Sequence, residues 1–193
     1  IQTYFTPNAV ERWRPRVNEV INQLLKNVEN RNHLDAMKDF ARPLPVLIIS
    51  SFMGISKKDT TTVQILANSL TMMFQTEKTR MKGLAQGMKN LVNAMEKEIQ
   101  KRESSPTDDL LSIMVRAYQE HIYSREELVA NAIFILFAGH ETTVNLICNG
   151  ILAFINNPEQ WNKLKNNPGL ASKATEECLR YEAPVKRFQR LLT

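Results

Sequence analysis

The chain has 193 residues, 43% hydrophobic and 23% charged, with a formal net charge of +5 and two cysteines. That apolar content is too high for disorder and enough for one or two cores, and two cysteines build no disulfide framework. A modest positive excess fits a solvated surface better than a nucleic-acid or acidic partner. No run reaches the roughly 20 apolar residues that cross a bilayer, and no charged-then-apolar leader is present. A cytoplasmic chain that binds neither membrane nor nucleic acid is therefore expected.

Thr6-Pro7 opens the first helix as cap and first helical residue. Val10, Trp13, Val17, Val20, Ile21, Leu24, Leu25 and Val28 follow at three- and four-residue spacing, an apolar face. Pro15 inside that pattern predicts a kink or a delayed start. Pro43 and Pro45 introduce a second helix, Val46 to Met53, stopped by Gly54. A third runs from Ser56 to about Phe74, and a fourth from Glu77 to Arg102. Ser105-Pro106-Thr107-Asp108 reads as a cap, a first-turn proline and acids that start a short helix to about Tyr118.

The central helix comes next. Ser124 with Glu127 three residues on is a capping box, and Asn156-Asn157-Pro158 closes the far end. One long helix over about 124–157 results. From Ala132 to Gly139 it is apolar on every side, which predicts burial all round. Gly139, a weak helix former, is then followed by Glu141, Thr142 and Thr143. Buried oxygens must be bonded, and a local rule broken in the deepest helix points to function. Beyond it, Asn157-Pro158-Glu159 starts a short helix to Lys165, and Pro168-Gly169 separates that from a helix holding Glu177 and Arg180. Lys186 to Thr193 reads as extended, a possible strand. The fold class is mainly α, over 1–193 as a single helical region.

Several chemistries are excluded by spacing. His140-Glu141 begins an H-E-x-x-H zinc pattern, but the fifth position is Val144. No Glu-x-x-His pair exists for a carboxylate di-iron bundle. With three histidines in all, His33, His121 and His140, an all-protein metal site is not expected, and His140 is expected to face solvent or bond a neighbouring loop. Cys148 and Cys178 sit within helical patterns as structural thiols. Thr142 in mid-helix has an ordinary use, a bond to the carbonyl of Ala138 four residues back.

Ala138-Gly139-His140-Glu141-Thr142-Thr143 resembles the oxygen-binding motif, A/G-G-x-D/E-T-T, in the central helix of the cytochrome P-450 haem-thiolate monooxygenases. Glu177-Cys178-Leu179-Arg180 is similar to that family's E-x-x-R helix, here Glu176 to Tyr181 followed by Pro184-Val185. The two motifs stand in the family's order, and the preceding helical pattern also resembles it.

The resemblance implies the central and distal helical portion of that fold, roughly from helix D to just past helix K. The N-terminal sheet and the cysteine-ligand loop lie outside the matching pattern, so the axial cysteine is expected downstream and the metal ligands in this chain are none. It implies haem b, O2, a small-molecule substrate and an external ferredoxin- or flavodoxin-type electron donor. The implied reaction is hydroxylation or epoxidation, in the style of bacterial secondary metabolism, with this portion alone inactive.

Residue by residue, Glu141 and Thr142 would deliver protons, a need set by splitting an O–O bond in a dry site. Ala138, Gly139 and Thr142 would border the haem and its oxygen, with Gly139 letting the backbone come close. Arg190 would pair with a propionate, unless it is an ordinary surface arginine. Glu177 and Arg180 would be a buried structural ion pair. Leu70, Phe74, Phe134, Phe137 and Val185 would line the substrate pocket, although Phe134 and Phe137 suit a plain core equally well. The competing class is a cofactor-free all-α ligand-binding regulator or scaffold. It needs a helix-turn-helix near the N-terminus, which the chain does not show, and it leaves Glu141-Thr142 without a purpose.

Overall fold

The computed structural model describes residues 5–56 and 77–186, with side chains from residue 85 onward in the second stretch. Every regular element among the described residues is helical. The expected third helix, with Leu70 and Phe74, lies outside the described residues, as do Arg190 and nearly all of the expected C-terminal strand.

Helix α1, Pro7–Glu11, is capped by Thr6, whose hydroxyl accepts from the Ala9 amide at 3.3 Å. The chain breaks before Pro15 and restarts as α2, Arg14–Lys26, so the proline delays a helix rather than kinking one. Of the apolar face predicted there, Val20 and Leu24 are buried while Val10 and Leu25 are exposed. Residues Ala36–Ala41 form a single π-helical turn that the sequence reading did not find. Asp35 caps it by accepting from the amides of Met37 and Lys38 at 3.1 and 2.9 Å. Helix α3 is Pro43–Phe52, and Gly54 ends it at φ +69°, a left-handed conformation open to glycine.

Helix α4, Glu77–Ser104, and helix α5, Leu110–Gln119, pack with α3 and the long helix α6, Arg125–Asn156. Their common core joins Met53, Leu91, Met95, Ile99, Met114, Leu128 and Leu136. A smaller cluster of Val20, Leu24 and Leu44 ties α2 to α3. Both bonds of the predicted capping box at Ser124 and Glu127 are present.

The start of α5 corrects the sequence reading. Its cap is Asp109, which accepts from the Ser112 amide at 2.7 Å. Ser105 closes off the preceding helix instead, its amide donating to the Lys101 carbonyl at 2.8 Å just past Ser104. Asp109 is held in place by a buried charge cluster. Arg102 donates to it at 3.2 Å, to the carboxylate of Glu98, and to the Met53 carbonyl at 3.3 Å. Thr107 donates to the Asp109 carboxylate, and a Cβ on Gly54 would fall 1.9 Å from Asp109 Oδ2. The ends of α3, α4 and α5 thus meet at one ionic knot.

Past α6, the chain continues as α7, Pro158–Asn166, a 3-10 turn at Pro168–Leu170, and α8, Ala171–Tyr181. Neither α7 nor α8 has a buried residue. A groove of about 550 Å³ runs between them and the end of α6, floored by Ala153, Phe154, Leu164 and Leu170.

Candidate functional site

At 32 residues, α6 is about 48 Å long at the usual rise of about 1.5 Å per residue. Its buried residues Leu128, Ala132, Leu136, His140 and Val144 recur every four positions, one continuous stripe packed on α3, α4 and α5. The opposite side carries Phe134, Ala138, Glu141, Thr142, Asn145 and Asn149 at three- and four-residue spacing, and none of these is buried. Burial all round, expected for 132–139, is therefore corrected: Phe134 is 65% exposed. An apolar run fixes burial only where other elements cover each side, and no described element covers this one.

The motif residues divide between the two sides. The side of Gly139 that a Cβ would occupy faces Ile49 Cδ1 of α3, which would lie at 3.2 Å. Its smallness serves the packing of α3 against α6. Ala138 and Thr142 lie on the open stripe. Thr142 donates to the Ala138 carbonyl at 2.8 Å, and Thr143 donates to Gly139 at 3.0 Å. That is the ordinary mid-helix bond, and it leaves each hydroxyl oxygen with lone pairs outward.

His140 does not face solvent, as was expected for it: it is 3% exposed, turned into the α3 side. The alternative in that expectation is closer to its setting, since the backbone of Arg42, at the end of the π turn, acts on the ring. Burial pushes its pKa down, with the Arg42 charge acting the same way and the backbone bond opposing. Glu141 is raised by burial, against a hydrogen bond from Asn145 and the charge of Arg42. Its Oε2 is 4.0 Å from His140 Nδ1. Cys148, one further turn along, is raised by burial and also feels Arg42, Asp35 and Glu141.

Sequence reading did not gather Arg42, Asp35 or Asn145 around this motif. One signal was available. Arg42 stands at the N-terminus of α3, where the helix dipole disfavours a cation. A cation at that position has another use.

Glu177 and Arg180 do pair, at 2.7 and 2.5 Å. The expected burial is corrected: their side chains are 59% and 70% exposed, because no described element lies over that face of α8. Asn149 on the open stripe donates to the Glu182 carbonyl at 3.2 Å, which draws the segment carrying Val185 alongside the same side of α6. Cys178 rests against Gly150, on the packed side. Neither cysteine therefore extends from a loop. Among the described residues no helix is long and apolar enough to cross a membrane, and no cluster of three metal-ligating side chains occurs.

The family profile described as Cytochrome P450 matches residues 47–168. The biotin biosynthesis cytochrome P450 of Bacillus subtilis (strain 168) is 35% identical over 97% of this chain and 48% of its own length. The polyketide biosynthesis cytochrome P450 PksS of the same organism is 37% identical over 94% of this chain and 44% of its own. Among solved structures, P450BioI in complex with an acyl carrier protein ligated to hexadec-9Z-enoic acid superposes with a TM-score of 0.78 at 32% identity. That match covers 92% of this chain and 47% of P450BioI. The chain spans about half the length of the curated relatives it matches.

Proposed function

This chain belongs to the cytochrome P450 family, and from that premise we propose that the protein containing it is a haem-dependent monooxygenase. The reaction is hydroxylation or epoxidation of a small organic molecule, with O2 and two electrons from a ferredoxin- or flavodoxin-type donor. The observation that carries this reading is the open stripe of α6, where a small residue, an acid and a hydroxyl share a side of the helix that the described residues leave half-buried.

That stripe fits a flat apolar group. Ala138 offers no bulk, Phe134 walls one end, and the Thr142 oxygen faces outward with its hydrogen already given to Ala138. Haem b, bound there, would supply the activation of dioxygen. Neither Cys148 nor Cys178 is placed to ligate it, so the axial thiolate is assigned to residues outside this chain.

This chain's own part is proton handling and exclusion of water. Burial keeps Glu141 in its protonated form to a higher pH than a free carboxyl. Thr142, one residue on, can take that proton on an outward lone pair and, once its hydroxyl turns from the Ala138 carbonyl, release a hydrogen outward, so the hydroxyl is unchanged after the exchange. Gly139 holds α3 tight against the far side, closing the path for water from there. Phe134, Phe137 and Val185 would contact substrate, with Leu70 and Phe74 contributing from outside the described residues. Arg190 would pair with a haem propionate. Glu177 and Arg180 would fix α8 in the core, and this portion alone would be inactive.

The relatives named for biotin and polyketide biosynthesis, and the acyl-carrier complex, favour a long apolar substrate of the fatty-acyl or polyketide kind. The test is the full-length protein. Its reduced carbon-monoxide difference spectrum should carry a Soret band at the thiolate position, and Thr142→Ala should divert electrons from product to peroxide. A spectrum without that band, or coupling untouched by Thr142→Ala, would overturn the assignment.

A further inference from the structure

Two nitrogens of one buried ring have unequal surroundings. His140 is 3% exposed, and the Arg42 backbone acts on its ring. Its Nδ1 is a buried atom with no hydrogen-bond partner. The Arg42 backbone acts on the ring in the sense that favours a ring proton, as a carbonyl does; with Nδ1 unpartnered, that contact and the hydrogen fall to Nε2. Nδ1 is left as a bare lone pair, 4.0 Å from Glu141 Oε2.

We propose that His140 is a positioning residue for Glu141, whose protonated carboxyl it holds by accepting the O–H hydrogen on Nδ1. The proposal rests on the reading of the α6 stripe as a proton-handling surface and names what seats the acid before it turns to Thr142. A swing of the carboxyl by about 1 Å closes the gap to hydrogen-bond length. Two acceptors repel, so the bond exists only with a hydrogen on Glu141, the form that burial favours. The carboxyl then has two seats. One is against Nδ1 on the α3 side, where the proton is kept. The other is on the stripe beside Thr142, where the proton leaves and a carboxylate remains.

The surroundings are consistent on each flank. From the π turn and the start of α3, the Arg42 charge acts on both His140 and Glu141. It holds the imidazole neutral and favours the carboxylate once the proton has gone. From α6 itself, Asn145 acts on the Glu141 side chain from the stripe side, favouring the carboxylate. Cys148, further along, feels the charges of Arg42, Asp35 and Glu141 together. An imidazolium at this position has no carboxylate closer than Glu141 to share its charge.

The experiment uses the full-length protein. His140→Gln keeps a donor at the Nε2 position and removes Nδ1; His140→Asn keeps a polar atom at the Nδ1 position and gives up the Arg42 bond. In His140→Gln the infrared carbonyl band of protonated Glu141 should weaken at neutral pH. Product formed per electron pair should fall by about tenfold, a smaller loss than removing a positioned proton donor outright. The carbon-monoxide spectrum and the KM for substrate should not move. His140→Asn should retain the band and most of the coupling. Ring nitrogen-15 spectra of the unaltered protein, in its diamagnetic ferrous carbon-monoxide form, should show the hydrogen on Nε2. A hydrogen on Nδ1, or a His140→Gln variant with band and coupling intact, overturns the proposal. If Glu141→Gln itself leaves coupling unchanged, the proton-handling stripe fails. If Glu141→Gln uncouples and His140→Gln does not, only the role of His140 fails.

Discussion

The two halves of α6 have unlike surroundings. From Leu128 to Val144 a stripe of buried side chains is clasped by α3, α4 and α5, and the ionic knot of Glu98, Arg102 and Asp109 fastens the far ends of those helices. Beyond Val144 only Gly150 is buried, and α7 and α8 bury nothing. Leu152, Ile155, Trp161 and Tyr181 stand exposed there. The same amphipathic grammar writes both halves, but only the first finds its partners within the described residues. Patterning tells which face a helix means to bury, and a separate fact decides whether anything is present to bury it.

The contrast is most easily broken at the knot. Arg102→Ala removes the buried cation between two buried carboxylates, leaving Glu98 with the largely exposed Lys101, and denaturant unfolding of the chain should register a loss of about 3–5 kcal/mol. Leu136→Ala should cost about 2–5 kcal/mol through transfer and cavity terms, while Ile155→Ala, 68% exposed, should stay within about 0.5 kcal/mol. Equal losses would mean the two halves of α6 are not distinct. Gly54→Ala sets a side chain at positive φ and against Asp109, and a loss of about 1–3 kcal/mol is expected, in the same unfolding measurement.

Ser124→Ala removes one half of the capping box and should cost about 1 kcal/mol, read in the same way. The smallest effect is in pH. The folded-state pKa of His140 is lowered, so below pH about 6.5 the unfolded chain takes up the proton first and stability falls. Glu141 is raised, so stability falls as pH climbs from the ordinary carboxylate range toward its folded pKa. His140→Phe should flatten the first slope and Glu141→Gln the second, measured as Tm against pH.

Most of the helical order was legible because caps and prolines are local. Thr6-Pro7, Pro43, the Ser124 box and Pro158 each lie at the boundary they announced. The cap misassigned to Ser105 shows the limit. Asp108 and Asp109 are equivalent in sequence, and Arg102 selects Asp109 only in three dimensions. The π turn was invisible for a related reason: one turn with a wider hydrogen-bond span has no period to detect. At the motif, type and spacing were enough to single out Glu141 and Thr142 as candidates and to put them on one side of a helix. The facing of Gly139 was not legible, since whether a missing Cβ faces open space or a neighbouring helix depends on Ile49, ninety residues earlier. For His140 the sequence left two settings open, solvent or a neighbouring loop, and only the fold, which buries it near the equally distant Arg42, decides between them.

Helix α3 is moored at both ends by different means. The Met53 carbonyl, at its C-cap, accepts from the buried Arg102, whereas Leu44, Pro45 and Val46 in its first turn are buried, with Leu44 against Val20 and Leu24 of α2. A rod held at both ends has no free end to swing. Helix α3 therefore offers Gly139, through Ile49, a wall that stays where it is.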